Sequence, residues 1–179
     1  MEAQVLREAG RYADAFKVLD DALNRDPADT DLLYDHAMAA EKVDRIDLLE
    51  KSLRKLIELK PDHAHAHNAL GYTLADRNIR LAEANRLIDR ALELSPDDAH
   101  ILDSKGWVLF RMGDMEGAIR YLRKAYAIRP DVEIAVHLGE VLWKAGLRDE
   151  ARTLWRQARE LEPANEVLRE TLARLNVDP

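Results

Sequence analysis

From Asp97 to Pro130 apolar and polar side chains alternate with the period of an α-helix, and they do so twice. In DDAHILDSKGWVLFRMG and again in DMEGAIRYLRKAYAIRP, apolar residues fall at i, i+3, i+4 and i+7. That spacing places them on one face of a helix. Two amphipathic helices joined at a glycine therefore make one unit, and the unit recurs. Apart from the terminal Pro179, the prolines are Pro27, Pro61, Pro96, Pro130 and Pro163, at spacings of 34, 35, 34 and 33 residues. A self-similar period of this length is the signature of a repeat architecture.

Other residue types keep the same register. Gly71, Gly106 and Gly139 stand 24 or 25 residues before a proline, and Gly10, Gly113 and Gly146 stand 17 before one. Ala15, Ala84, Ala118 and Ala151 recur 12 before it, and Ala22, Ala91, Ala125 and Ala158 recur 5 before it. A large apolar residue sits 8 before it: Leu19, Leu53, Ile88, Leu122 or Trp155. Glycine in the first helix and alanine in the second allow two backbones to approach closely. The glycine between the helices suits the left-handed position that ends a helix. Asp29, Asp98 and Asn165 suit N-caps, and each proline closes the second helix.

This pattern resembles the tetratricopeptide repeat. LGYTLA with Ala84, Ile88, Ala91 and Pro96 fits it closely, and so does LGEVLW with Ala151, Trp155, Ala158 and Pro163. The resemblance covers the whole chain. It implies an all-α fold, a right-handed α-solenoid of antiparallel helix pairs whose first helices line a concave groove. On that frame residues 1–29 are a partial first repeat. Residues 30–63, 64–98, 99–131 and 132–165 are repeats two to five, and 166–179 form a C-terminal capping helix. In the capping helix Val167, Leu168, Leu172 and Leu175 make the apolar face. In the second repeat Leu49 and Leu56 replace the two alanines and Ala37 replaces the glycine, which predicts a wider or shifted pair. The first repeat lacks its opening turn, so the chain is expected to be the C-terminal part of a longer solenoid. Val5 and Leu6 then lack a preceding repeat, and homodimerisation through this truncated N-terminal face is expected.

Composition narrows the chemistry. The chain is 47% hydrophobic and 34% charged, too apolar for a disordered tail. No apolar run approaches the roughly 20 residues that span a bilayer. Cysteine is absent, which removes disulfides and thiolate chemistry. The net charge of −7 without a basic block argues against nucleic acid as a partner. No phosphate-binding glycine loop or nucleophile elbow is present, and paired carboxylates read as helix-surface charge. The expectation is a non-enzyme without cofactor. His63, His65 and His67 alternate, a spacing that would converge on a metal along a strand. On a helix His65 points about 200° away from its neighbours, so no metal site is expected.

The resemblance also says which side chains face the groove: positions 2, 5, 6, 9, 12 and 13 of each first helix. Position 9 gives Met38, Tyr72 and Trp107, and position 12 adds Phe110 and Trp143. Tyr34, Asn68, Asp103 and His137 fill positions 5 and 6. Tyr72 and Trp107 are expected to be exposed there as anchors, whereas Trp143 is read as either groove or core. Acids outnumber bases seven to three at these positions, which favours an apolar or basic partner segment. The carboxylate clamp of heat-shock co-chaperones, built from Lys, Asn and Arg, is absent; only Asn68 fits it. The stretch from Leu32 to Arg77, with ILDSKGWVLFRMGD and HLGEVLWKAG, is similar to a group of proteobacterial tetratricopeptide proteins. Many of those are lipoproteins or exported proteins at the outer membrane, and one is an adaptor of a processing protease. That resemblance implies a protein-interaction scaffold, a periplasmic or outer-membrane-associated adaptor of a protease or envelope complex. The alternatives are a cytoplasmic location and a regulatory or substrate-recruiting segment of a larger enzyme.

Overall fold

The computed structural model describes residues 2–179. Met1, which belongs to the expected first repeat and N-terminal face, lies outside the described residues. Among the described residues the chain is all-α, with eleven helices and no strand. It divides into two compact units, Met1–Leu70 and Gly71–Pro179.

The first unit holds α1 (Glu2–Glu8), α2 (Tyr12–Arg25), α3 (Thr30–Lys42), α4 (Ile46–Leu59) and the start of α5 (Ala64–Asp76). Neighbours pack in chain order, α1 on α2, α2 on α3 and α3 on α4. Asp29 caps α3 by accepting hydrogen bonds from the Asp31 and Leu32 amides. His63 caps α5: its Nδ1 accepts from the Ala66 amide at 3.1 Å. His67 Nε2 lies 3.0 Å from the Pro61 carbonyl, while His65 is exposed. The three imidazoles thus serve separate ends, and no group of three His, Asp or Glu among the described residues is placed to share an ion. Leu49 and Leu56 are fully buried, and α3 supplies the small buried residues, Ala37, Ala39 and Ala40.

The second unit holds the rest of α5 and α6 (Leu81–Leu94), α7 (Ala99–Arg111), α8 (Met115–Ile128), α9 (Val132–Lys144), α10 (Arg148–Leu161) and α11 (Glu166–Leu175). Each helix packs on the next from α6 to α11, and α9 also touches α7 and α11. The glycine–alanine register explains how close the pairs come. A Cβ on Gly106 would lie 2.5 Å from Leu122 Cγ and 3.1 Å from the Ala118 carbonyl. Leu122, Ala118 and Ala125 are themselves fully buried. The turn glycines Gly113 and Gly146 have φ of +89° and +87°, a region closed to most side chains. Asp98 and Asn165 cap α7 and α11 through their side-chain oxygens.

Candidate binding recess

Four helices of the second unit present one face to a recess of about 510 Å3. Tyr72 and Asp76 come from α5, Trp107 and Arg111 from α7, Val136, His137 and Glu140 from α9. The fourth wall is α11, with Val167, Glu170, Thr171 and Arg174. Counted from the first residue of each helix, these are positions 2, 5, 6, 9 and 13. At about 100° per residue they share one arc of the helix surface.

His137 is the hub. Its Nδ1 faces both Asp103 oxygens at 2.8 and 3.0 Å, and its Nε2 lies 3.3 Å from the Tyr72 hydroxyl. Its ring stacks on Trp107, centroids 4.5 Å apart. Burial alone would lower the His137 pKa, but the Asp103 carboxylate, aided by Asp76 and Glu133, outweighs burial and raises it above the ordinary value. Trp107 Nε1 donates to Asp76 at 3.2 Å, and the Arg111 guanidinium lies 4.9 Å from the indole centroid. Arg111 also donates to the Asp76 carbonyl at 2.9 Å. At the far wall Arg174 forks onto Glu140 at 2.6 and 2.9 Å. Hydrogen bonding to Glu140 raises the Arg174 pKa further above its ordinary value.

The site residues expected from the sequence separate into three groups. Tyr72, Trp107 and His137 line the recess, with Asp103 directly behind His137. Trp107, expected as an exposed anchor, is only 3% exposed. His137 stacks on it, Arg111 lies over it and Asp76 takes its N–H, so it is a structural member of the wall. Phe110 and Trp143 do not line the recess. Phe110 packs on Trp107 with centroids 5.2 Å apart. Trp143 is half-buried against Trp155 and beside Arg148 and Arg152 of α10. Position 12 lies about 60° around the helix from position 9, on the side away from position 13. Tyr34, Met38 and Asn68 belong to the first unit, all half-buried. Tyr34 stacks on His63, centroids 5.5 Å apart. Burial, then Glu41 and Asp35, raises the Tyr34 pKa.

Sequence reasoning missed the α11 wall. Val167, assigned to a buried apolar face, is 42% exposed, whereas Leu168 and Leu172 are buried. The signal was available: taking Asn165 as the cap makes Val167, Glu170, Thr171 and Arg174 positions 2, 5, 6 and 9. The acidity of the groove is also moderated, because Arg111 and Arg174 each answer a recess acid. Glu170 and Asp103 remain in excess over those pairs, with His137 offsetting Asp103 when protonated.

A second polar cluster sits in the first unit. His36 Nδ1 is 2.8 Å from Ser52 Oγ and Nε2 is 3.3 Å from Asp20. Burial lowers the His36 pKa, against the pull of Asp20. A serine, a histidine and an aspartate in line invite a nucleophilic reading. Ser52, however, is buried in the middle of α4. Amides in a helix interior already donate to carbonyls four residues back, so they are not available to an oxyanion. The cluster instead bridges α2, α3 and α4. Its link to the acid 16 residues earlier recurs in the second unit, where Lys105 Nζ of α7 reaches two residues of α6, Asp89 at 2.5 Å and Asn85 at 2.7 Å.

Comparison with known proteins places this geometry. Tetratricopeptide-repeat family models match residues 74–133 and 109–175, which together span 74–175. The chain belongs to the tetratricopeptide-repeat family. It is 46% identical over 140 residues to the TPR repeat-containing protein PA4667 of Pseudomonas aeruginosa. That alignment takes in 78% of this chain and 24% of the relative, so the chain spans about a quarter of the relative's length. Among solved structures, the thermophilic TPR protein TTC0263 of Thermus thermophilus is similar at a TM-score of 0.84 and 24% identity, over 98% of this chain and 96% of that one. PilW, a type IV pilus biogenesis factor, is similar at a TM-score of 0.78 and 22% identity, over 97% and 83%. Both likenesses show the tetratricopeptide fold. No described helix is long and apolar enough to cross a membrane.

Proposed function

We propose that this tetratricopeptide chain is a non-catalytic adaptor that binds a segment of another protein in the recess of its second unit. The observation that carries the reading is the recess itself. Side chains from four different helices converge on about 510 Å3, a volume within the range of ligand pockets. Its walls are tied together by hydrogen bonds, buried at His137–Asp103 and half-buried at Tyr72, Trp107 and Glu140, which lowers the ordering needed on binding. The Pseudomonas relative supports the resemblance to proteobacterial tetratricopeptide proteins. The proposal, resting on that resemblance, puts the whole protein in the periplasm or at the outer membrane, with the cytoplasm as the alternative.

Affinity purification from the native host tests the recess. A tryptophan at Val167 would fill the mouth, while one at exposed Gln157 lies on a different surface. The same co-purifying protein is expected with wild type and Gln157→Trp, and strongly reduced with Val167→Trp. Equal recovery with all three would overturn the proposal.

A further inference from the structure

The next inference rests on that reading and concerns what the segment carries. Glu140 is the unusual member of the recess. It occupies position 9 of α9, where α5 and α7 carry Tyr72 and Trp107. Its side chain is only 6% exposed. A carboxylate that deep must keep a cation beside it, because an uncompensated buried charge is strongly unfavourable. The cation present is Arg174, whose side chain is 56% exposed and forks onto both oxygens. The two partners are thus held very differently. Glu140 is fixed on a packed helix, whereas Arg174 reaches it from solvent in the last turn of α11.

Arg174 is not the only group that docks its helix. Leu168, Thr171 and Leu172 of α11 are buried independently of the guanidinium's ion pair. The recess beside it is open, and the acid of its lining not answered by a base is Glu170, since Asp76 faces Arg111 and Asp103 is held by His137. A second guanidinium entering there would meet a carboxylate already aligned for a bidentate pair, the geometry that favours Arg over Lys.

We propose that Glu140 receives an arginine side chain of the partner segment, and that Arg174 occupies its place in the free protein. Arg174 then sets a threshold: only a segment that brings its own arginine gains Glu140, and the exchange leaves no buried charge alone at either stage.

The test uses dodecapeptides displayed on phage and selected on the full chain as wild type, Arg174→Gln and Glu140→Gln. Glutamine at 174 keeps a donor for Glu140 but removes the competing charge. Selected peptides are expected to share an arginine. The best of them, made synthetically, should bind Arg174→Gln about tenfold more tightly than wild type, the loss of one charge-assisted competitor. Glu140→Gln, or citrulline in place of the arginine, should weaken it by at least as much. If Arg174→Gln loses helicity, the citrulline comparison on wild type decides alone. Equal affinity for the arginine and citrulline peptides, with Val167→Trp still blocking both, would overturn the exchange and leave the recess reading standing. Peptides indifferent to Val167→Trp, or no peptide retained by any variant, would overturn both.

Discussion

His137 shows how one side chain carries several contacts that the sequence states only in part. Position 6 of α9 was legible from the repeat register, and so was its place on the groove face. Its partners were not, since Asp103 stands 34 residues away and Tyr72 stands 65 away. One repeat length separates His137 from Asp103, and the same separation joins Glu140 to Arg174. Complementary groups one period apart are therefore the signal that reading each repeat alone passes over. Trp107 was misread for a related reason. Helical periodicity says which face a residue is on, whereas burial depends on what other helices lay over that face. Here His137 and Arg111 cover it.

The His137 pair also fixes a pH dependence. A histidine whose folded pKa is raised stabilises the fold fully below its unfolded value, about 6.5. That contribution is lost as pH rises through the folded value. Asp76, Tyr72, Asp103 and Glu133 are the titratable groups that face it from α5, α7 and its own helix. In Asp103→Asn burial dominates and the dependence reverses. The stability gap between wild type and Asp103→Asn should therefore widen on going from pH 9 to pH 6. Urea unfolding followed by tryptophan fluorescence reads this cleanly, because Trp107, Trp143 and Trp155 all lie in the second unit. A gap independent of pH would contradict the pairing. His36 acts in the opposite sense, its lowered pKa favouring the fold at higher pH, but the first unit contains no tryptophan.

At the scale of the helix, the glycine register was the most legible feature of the chain. It predicts contacts between first and second helices, and the Gly106–Leu122 approach is such a contact. Gly106→Ala would gain about 1 kcal/mol of helix propensity, but overpacking against Leu122 costs about 1–3 kcal/mol. Leu122→Ala alone should cost about 2–5 kcal/mol, as a large-to-small change in a filled core. The double variant removes the clash with Leu122 and leaves the 3.1 Å approach to the Ala118 carbonyl, so Gly106→Ala should cost less in that background than in wild type. Thermal or urea unfolding of the four proteins measures the coupling. Strict additivity would show that the two residues do not meet. The departure at Leu49 and Leu56 was also visible in the sequence. That Ala37, Ala39 and Ala40 of α3 are all buried, Ala39 among Ala3 and Leu19, follows only from the packing. α11 was legible as a helix, with its cap at Asn165, and counting from that cap also gives the groove positions Val167, Glu170, Thr171 and Arg174; taking Val167 for the buried face hid them.

For the molecule as a whole, the all-α class was legible from the helical period, and the tetratricopeptide family from the resemblance of LGYTLA and LGEVLW with their spaced alanines and prolines. The working surface was not, since it depends on which side chains of neighbouring pairs engage one another first. The expected N-terminal association surface has one concrete feature, Val5 on α1 at 59% exposed. If that face pairs with a second copy, light scattering should show concentration-dependent dimers that Val5→Asp abolishes; a monomer at all concentrations would contradict it. The central claim is that the recess of the second unit receives a protein segment. Site-specific photocrosslinking tests it most directly, with benzoylphenylalanine placed at 167 or at 157 in the native host. Position 167 is expected to capture one discrete protein, through one segment containing an arginine, and position 157 is not. Equal capture from both positions, or capture from 157 alone, would contradict it.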